Sequence, residues 1–553
     1  MQEGQRNVRG GEAAIARVAA PPGRAALTRA GDAVRARLGA EAAIFIALAL
    51  WSVLPFAILF LTVKGGGLSL YRGHGVFDGS AGLQVGDHMQ YLAWIRDAGD
   101  HVLIANRFDV VQDKHIFLHP VFLISGLIWK LGASLQFANL VWKPFVLVLL
   151  FAGFAAYVRR LVEGAAARAA TLVLSLFFFT PATALVNLPG LGSHSLQFGT
   201  KVMGLEMFPA GYTWGGASPG AISVALMPLF LLGVERLLDT TKRAPGRSTG
   251  WYLAWTSAAG LLAAWLHPWQ GTTLLVIVGG LVAWDRLDRR NLILAAPVAA
   301  TTAPVLYMFA LSHTHTSWAA ASHPGHYSHL GLWLVLGLAP LLLALPGAPG
   351  STADVQERLL RLWPVAAIVV YFGLQESWFY HALAGVSLPL AILGVRGWRR
   401  LRLSPALGVA LIALLTLPGM AWAVRELRDS KPDHFFAYGE SDALDYLEHS
   451  PRPGAVLAPE RLGLAVPAFA NRNTWLGHYS WTPDYGPRLA RAEALFSGRL
   501  AGTQARELVR ESRASFVLSD CRHHADLRPQ LRPILSSVRR FGCATLYVVA
   551  ARG

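Results

Sequence analysis

Residues 119–164 have the sequence HPVFLISGLIWKLGASLQFANLVWKPFVLVLLFAGFAAYVRRLVEG. This segment contains most of one apolar run, 116–131, and the whole of a second, 138–157, which is followed by the pair Arg159 and Arg160. Long apolar runs with basic residues at one end are typical of membrane-crossing helices whose basic ends lie in the cytoplasm. The second run therefore predicts a crossing, whereas the first, shorter run fits either a crossing or a buried helix.

The composition of the whole chain agrees with this segment. Of its 553 residues, 54% are hydrophobic and 15% are charged, whereas a soluble globular protein has about 25% charged residues. These values exclude an ordinary soluble enzyme and a disordered protein, and two cysteines exclude a cysteine-based metal or redox scaffold. Basic cytoplasmic loops and anionic lipid account for the net charge of +16 without a nucleic-acid partner.

Further apolar runs follow on both sides of the quoted segment. They predict a polytopic α-helical membrane protein with about 11–13 transmembrane helices and a transmembrane part at 41–424. The predicted crossings are 41–63, 138–157, 167–187, 220–237, 251–266, 271–284, 291–311, 330–346, 362–376, 382–395 and 404–424.

Basic loops set the expected orientation. If 116–131 is not a full crossing, all basic clusters fall on one side, which is assigned to the cytoplasm. Residues 1–40, which contain seven arginines and no apolar run, are then expected to form a disordered cytoplasmic tail in a protein of the inner or plasma membrane. The basic clusters are at 159–168, 242–247, 286–290, 358–361 and 396–402.

The polar material gathers on the expected outer side. It includes a large first outside loop at 64–118 and a terminal segment, 425–553, in which charge rises and apolar runs shorten to strand length. Strand and helix patterns in that segment predict a small extracytoplasmic α/β domain. Two of its strands would place Cys521 opposite Cys543 if they pair antiparallel, and the outside location favours a disulfide over two unpaired core cysteines.

The first outside loop contains a carboxylate at the start of a segment with helical periodicity. An amphipathic helix beginning at Asp87 is expected to lie along the membrane surface, with Asp87 near the lipid headgroups. Asp87 then either has a catalytic or cation-binding role or only caps the helix. His88, Gln90 and Asp97 are further candidates on the same helix.

Other candidates lie at the outer ends of later apolar runs. His267 precedes a proline that breaks a pair of helices, with Gln270 beside it, and Glu376 and His381 flank a short turn. Polar groups at membrane depth are functional candidates by default, so both turns are expected to face one outside cavity. The alternative is that they are polar loop tips that cap helices.

The stretch 471–485 of the terminal segment combines aromatic and polar side chains, which suit sugar faces and hydroxyls. His478 and Trp481 are its candidate binding residues. We expect this loop to face the same cavity as Asp87 and His267. The alternative is a loop that only docks the domain on the membrane part.

The order of these features resembles the GT-C superfamily of membrane glycosyltransferases. Residues 119–164 are similar to the family's stretch of Pro, apolar run, Gly, apolar run and Arg-Arg-Leu-x-x-Gly, and the likeness covers roughly 41–424. The acid in the first outside loop, the His-containing helix break and the C-terminal outside domain also fit. The segment NTWLGHYSWTPD, at 473–484, resembles loops in C-terminal domains of uncharacterised bacterial members.

The resemblance implies a hexosyl- or pentosyltransferase that moves a sugar, with inversion, from a polyprenyl-phosphate donor to a cell-envelope glycan or lipid acceptor. By that likeness Asp87 is the general base or a metal ligand. Many members carry paired acids there, whereas this chain has Asp87 and His88, so the resemblance leaves a divalent cation, Mg²⁺ or Mn²⁺, open and assigns no metal ligands. No other cofactor is expected.

Cations of the first loop are expected to hold the donor's phosphate, namely Arg96, Arg107 and Lys114. Two other functions remain as alternatives. A lipid or polysaccharide transporter or flippase would show charged groups in mid-span and two related halves, whereas the polar groups here gather at helix ends. A non-catalytic protein of envelope assembly is the other alternative.

Overall fold

A computed structural model describes residues 24–71, 75–80, 82–188, 201, 204–205, 207–215, 218–286, 288–322, 330–374 and 377–551. It consists of a helical bundle followed by a smaller C-terminal part that contains a four-stranded sheet. The first helix begins at Arg24, so residues 24–40 are helical rather than disordered as expected. Their Ala, Arg and Leu residues are good helix formers, and they continue directly into an apolar helix.

By length and composition, five helices in the described part of the chain could cross a membrane. This confirms the polytopic α-helical class, and the number of 11–13 crossings stays a prediction. The five helices are Gly39–Phe60, Leu135–Leu161, Ser218–Leu238, Arg289–Thr314 and Pro405–Asp429.

The ambiguous run at 116–131 forms a short helix, Pro120–Lys130. Eleven residues span about 16 Å, roughly half of the hydrocarbon core. The helix starts at Pro120 and is followed by a turn in which Gly132 has φ +101. This helix is therefore too short to be a full crossing.

Helices make up most of the described chain, and several start at a Ser cap or at a Pro in the first turn. Their bounds are Arg24–Phe60, Val85–His101, Pro120–Lys130, Leu135–Leu140, Trp142–Leu161, Ala165–Phe177, Pro181–Val186, Pro209–Gly215, Ser218–Leu238, Thr249–Leu266, Pro268–Trp284, Ala295–Thr314, Thr316–Ser322, Leu330–Leu338, Val355–Gly373, Ser387–Arg400, Pro405–Asp429, Tyr438–His449, Glu460–Phe469, Tyr485–Phe496, Gly502–Glu511 and Arg528–Leu531. Short 3₁₀ segments are Thr240–Lys242, Arg289–Leu294, Ala339–Gly347, Phe379–Leu383, Lys431–His434 and Arg532–Ile534.

Among the described residues the strands form two two-stranded sheets and one four-stranded sheet. Strand β1 pairs antiparallel with β2, and β3 pairs antiparallel with β4, which joins the first loop to the start of the C-terminal part. The sheet has the order β5-β6-β8-β7, with β5 and β6 parallel and the other neighbours antiparallel. The bounds are β1 Leu61–Lys64, β2 Gly67–Leu70, β3 Gly75–Phe77, β4 Phe435–Ala437, β5 Val456–Leu457, β6 Phe516–Ser519, β7 Leu535–Phe541 and β8 Ala544–Val549.

The predicted strands around the cysteines do pair antiparallel. Ser519 of β6 lies opposite Thr545 of β8. Cys521 and Cys543 lie two residues beyond this pair, and a disulfide joins them with their Cα atoms 4.9 Å apart. This bond closes the end of the sheet.

The helix Val85–His101, called the Asp87 helix below, does not have the exposed polar face expected of an amphipathic surface helix. It packs between the helices Pro120–Lys130 and Glu460–Phe469, and its residues from His88 to Ala98 are buried, except for the half-buried Tyr91. The expected exposed face is therefore wrong, because tertiary packing buries both faces of the helix. Its position along the membrane surface stays a prediction.

Candidate active site

A cavity of about 770 Å³ lies at one end of the helical bundle, beneath the C-terminal part. Its walls include the Asp87 helix, the turn around His267, the residues 372–374 and 377–381, and the loop 478–481. Six residues singled out in the sequence line this cavity although they are far apart in the chain. They are Asp87, Gln90, His267, His381, His478 and Trp481.

Asp87 occupies the first turn of its helix but does not cap it. The helix begins at Val85, and its cap position is Gln84. The Asp87 Oδ1 atom instead lies 3.1 Å from Nε2 of His478 in the terminal domain. A carboxylate in the first turn is also stabilised by the helix dipole. Asp87 is therefore held by a side chain from another part of the chain, and capping does not account for its position.

The hydrogen bonds around His478 define its tautomer. The backbone N–H of Ser480 lies 3.3 Å from Nδ1 of His478, and an N–H group can only donate. Nδ1 therefore accepts, and in the neutral ring the proton sits on Nε2, which faces Asp87. His478 is thus placed to donate to Asp87 and to fix the orientation of its carboxylate.

The turn at His267 carries a second arrangement of fixed polar groups. Nδ1 of His267 is hydrogen-bonded to Oε1 of Gln270, an oxygen that can only accept. Nε2 of Gln270 donates to the backbone oxygen of His381 over 2.6 Å. The rings of His267 and His381 meet edge to face with centroids 4.6 Å apart. Gln270 itself is fully buried and does not line the cavity, so it orients the His267 imidazole and holds the backbone at His381 rather than contacting a ligand.

One wall of the cavity is aromatic. Trp481 packs edge-on against Trp318, with ring centroids 4.6 Å apart, and against Trp94 at 5.4 Å. Phe117 lies 4.3 Å from Trp318. The backbone oxygen of Trp481 accepts a hydrogen bond from Asn106 over 3.0 Å. This wall offers rigid apolar surface of the kind that packs on sugar rings or isoprenoid chains.

Besides the buried Gln270, three of the predicted site residues are not seen in the cavity wall. His88 is buried behind it, with Nδ1 3.2 Å from the Nδ2 atom of Asn139. Asp97 lies in a separate cluster, where Arg107 contacts it at 3.1 Å. Glu376 lies outside the described residues.

The cations expected to hold a phosphate do not reach the cavity. Arg96 pairs with Glu448 and Arg107 pairs with Asp97, and Lys114 is not among the lining residues. Within the described ranges no Lys or Arg lines the cavity, and imidazoles occupy the wall instead. These are His119, His267, His313, His381 and His478.

His119 is a cavity residue that the sequence analysis missed. Like His267, it directly precedes a proline that starts a helix, so both imidazoles are held at helix N-termini. The repeated His-Pro dipeptide was the signal that could have identified it. Burial lowers the pKa of His119 to about 3 and that of His267 to about 4, and both residues lie in turns outside the candidate membrane helices. Both rings are therefore neutral near pH 7.

Among the described residues that line the cavity, Asp87 is the only carboxylate. The site thus combines one oriented acid, several neutral imidazoles and an aromatic wall. Such a set can accept a proton from a bound hydroxyl and can donate hydrogen bonds to an anion. It does not supply a fixed positive charge within the described ranges.

No family model and no curated protein matches the chain. Solved structures with a similar fold include ArnT from Cupriavidus metallidurans in the apo state, with 13% identity, a TM-score of 0.48, and coverage of 92% of this chain and 97% of that one. ArnT bound to undecaprenyl phosphate has 12% identity and a TM-score of 0.48, and 90% of this chain and 97% of that one are covered.

An archaeal protein is also similar. The oligosaccharyltransferase AglB from Archaeoglobus fulgidus, in complex with an inhibitory peptide and a dolichol-phosphate, has 14% identity and a TM-score of 0.41 over 87% of this chain and 69% of that one. At these identities and TM-scores the likeness concerns the fold and carries no inference about donor, acceptor or mechanism.

Proposed function

We propose that this chain transfers a sugar from a polyprenyl-phosphate donor to a cell-envelope glycan or lipid acceptor, with inversion and with Asp87 as the general base. One observation carries the proposal. Asp87 is the one carboxylate among the described residues of the cavity wall, and the N–H of His478 orients it. A multi-pass protein of the inner or plasma membrane would hold this cavity at the outer face.

The proposed chemistry needs one carboxylate. Asp87 accepts the proton of the acceptor hydroxyl while the oxygen of that hydroxyl attacks the anomeric carbon of the sugar. The polyprenyl phosphate leaves from the opposite face of the sugar. A retaining mechanism would need a second carboxyl group about 5–5.5 Å from the first. The single acid of the described wall therefore supports inversion.

The lining also suits the donor. Its aromatic wall, formed by residues such as Trp94 and Trp318, offers apolar surface for a sugar face or for isoprene units. The neutral imidazoles of His119 and His267 supply hydrogen bonds rather than charge. A divalent cation that enters with the donor would supply charge for the phosphate, and Mg²⁺ commonly binds through one carboxylate and substrate phosphates. In that alternative Asp87, the one carboxylate among the described residues of the wall, is the metal ligand instead of the general base.

Membranes that contain the chain, incubated with radiolabelled polyprenyl-phosphate sugars, test the proposal. The wild type should release labelled product, and Asp87→Asn should lower the rate about 10²–10⁴-fold because an amide cannot accept the proton. Asp100→Asn is the matched control, since Asp100 lies on the same helix, pairs with Lys130 and does not line the cavity. It should transfer sugar at the wild-type rate.

Two outcomes would contradict the proposal. Near-normal transfer by Asp87→Asn would place the acid elsewhere, with Glu376 the next residue to replace. Movement of labelled lipid across the bilayer without sugar transfer by the wild type would favour the flippase alternative.

A further inference from the structure

A second cavity, of about 440 Å³, lies between the first loop and the C-terminal part. His101 and His115 line this cavity, and both contact Asp97, which is buried behind them. Oδ1 of Asp97 lies 3.2 Å from Nδ1 of His101 and 3.3 Å from Nε2 of His115. The proposed sugar transfer uses none of these three side chains.

The three candidate ligand atoms lie within 4.8 Å of one another, close enough to contact one metal ion. Zinc binds imidazole nitrogen at 2.0–2.1 Å and carboxylate oxygen at about 2.0–2.2 Å in a tetrahedron, so neighbouring ligand atoms lie about 3.3–3.5 Å apart. Of the two oxygen–nitrogen distances, 3.3 Å equals the lower limit of that interval and 3.2 Å lies just below it. The two imidazole rings lie side by side, with centroids 4.0 Å apart, and direct one nitrogen each toward the same oxygen.

The surroundings hold the carboxylate in this position. The backbone N–H of Ala105 donates to Oδ2 of Asp97 over 2.7 Å, and Arg107 contacts Oδ1 at 3.1 Å. Hydrogen bonds of this kind orient ligands in metal sites. The side chain of Asp97 is 2% exposed, whereas those of His101 and His115 are 44% and 27% exposed, so an ion can enter from the cavity.

We infer that Asp97, His101 and His115 form a binding site for a divalent transition-metal ion such as Zn²⁺, with a fourth position open to the second cavity. Two imidazoles and one carboxylate favour zinc over Mg²⁺, which prefers oxygen ligands and near-octahedral geometry. This site goes beyond the proposed function and does not depend on it.

The ion would also stabilise a segment of the first loop, 102–114, that contacts the C-terminal part. Segment 102–114 connects His101 to His115 and makes direct contacts with the terminal loop. The N–H of Thr474 donates to the backbone oxygen of Arg107 over 3.1 Å, and Asn106 donates to the backbone oxygen of Trp481 over 3.0 Å. A metal that joins the two ends of this segment would therefore also hold Trp481 in the wall of the larger cavity.

Zinc titration of the purified full chain tests the inference. The protein is stripped with a chelator and then titrated with Zn²⁺ against a chromophoric chelator of known affinity. The wild type should bind one more Zn²⁺ ion per chain than either His101→Ala or His115→Ala. If the number of ions is equal, the wild type should bind Zn²⁺ at least tenfold more tightly than either variant. His524→Ala is the matched control, because His524 is exposed and lies outside the cluster, and it should bind as the wild type does.

His101 and His115 are partly exposed, so both alanine variants are expected to fold. Near-UV circular dichroism of each variant checks that it does. Equal stoichiometry and affinity in the wild type and both folded variants would overturn the inference. The inference would also be overturned if millimolar Mg²⁺ displaced bound Zn²⁺ from the site as effectively as added Zn²⁺ does. Zinc binding is measured without sugar transfer, so its failure and the failure of the proposed function are separate results.

Discussion

At the scale of single residues, the orientation of Asp87 depends on His478. We expect His478→Ala to lower kcat by up to about 10²-fold with little change in KM, because a misplaced base affects the transition state more than binding. His478→Gln should recover most of the rate, since its amide N–H can donate in a similar position. Steady-state transfer kinetics measure both variants. Equal losses in the Ala and Gln variants would mean that His478 only packs there.

A buried pair outside the cavity gives the chain a predictable response to pH. Ser80 Oγ lies 2.6 Å from Asp78 Oδ1 and 2.7 Å from Nδ1 of His434, and the charged residues Arg461 and Asp433 act on both groups. Burial raises the pKa of Asp78 to about 7 and lowers that of His434 to about 4. Between pH 4 and 6.5, folding therefore adds a proton to Asp78 and removes one from His434, and the two effects on stability largely cancel.

Removing either partner should expose the effect of the other. In Asp78→Asn the depressed His434 pKa remains, so stability relative to the wild type should rise as pH rises from 4 to 6.5. In His434→Asn the raised Asp78 pKa remains, so stability should be greatest below pH 4 and fall as pH rises to 7. Melting temperatures from tryptophan fluorescence should show these opposite slopes. Parallel pH profiles for the two variants would contradict the prediction.

At the scale of elements, the Asp87 helix is positioned by a close crossing with the helix Pro120–Lys130. A Cβ atom on Gly126 would lie 2.5 Å from the backbone nitrogen of Gly99 and 2.7 Å from the backbone oxygen of Ile95. We expect Gly126→Ala to push the helices apart, to destabilise the protein by about 1–3 kcal/mol and to lower transfer activity. Thermal unfolding and the transfer assay measure the two effects.

The control for this crossing is another glycine in an apolar helix. A Cβ atom on Gly279, in Pro268–Trp284, would meet no other atom within 4 Å, so Gly279→Ala should be neutral or stabilise the protein by up to about 1 kcal/mol. If both substitutions have the same effect, the close crossing is not what positions the Asp87 helix.

The sequence indicates those residues of the cavity wall that have a local signal. Asp87 follows a glycine before a periodic segment, and His267 stands at a helix-breaking proline, so both were singled out, and both line the cavity. Trp94 and Trp318 look like ordinary apolar residues, and their meeting depends on long-range packing that periodicity does not contain. Strand β7 was missed because its arginines and exposed face weaken the pattern, and strand preference depends strongly on context.

At the scale of the whole molecule, the long helix Ser218–Leu238 has one end at the cavity and a basic residue near the other. In Ser218–Leu238, Pro219 and Gly220 line the cavity, whereas Arg236 lies near the other terminus, about 25 Å away at 1.5 Å per residue. Ion pairs join the basic loops to one another. Arg160 donates to Glu235 over 2.8 Å, and Arg358 pairs with Asp285 at 3.4 Å. The bundle therefore has a basic end opposite its cavity.

This polarity predicts the orientation in the membrane. Basic loops stay in the cytoplasm, so the end that contains residues 245 and 290 should lie inside, and the cavity with the C-terminal part should lie outside. Reporter fusions after residues 245 and 290 should both give the cytoplasmic signal, and a fusion after residue 430 should give the opposite one. A fusion at 430 that reports the same side as 290 would place the cavity in the cytoplasm, where an outer-face donor and acceptor could not reach Asp87.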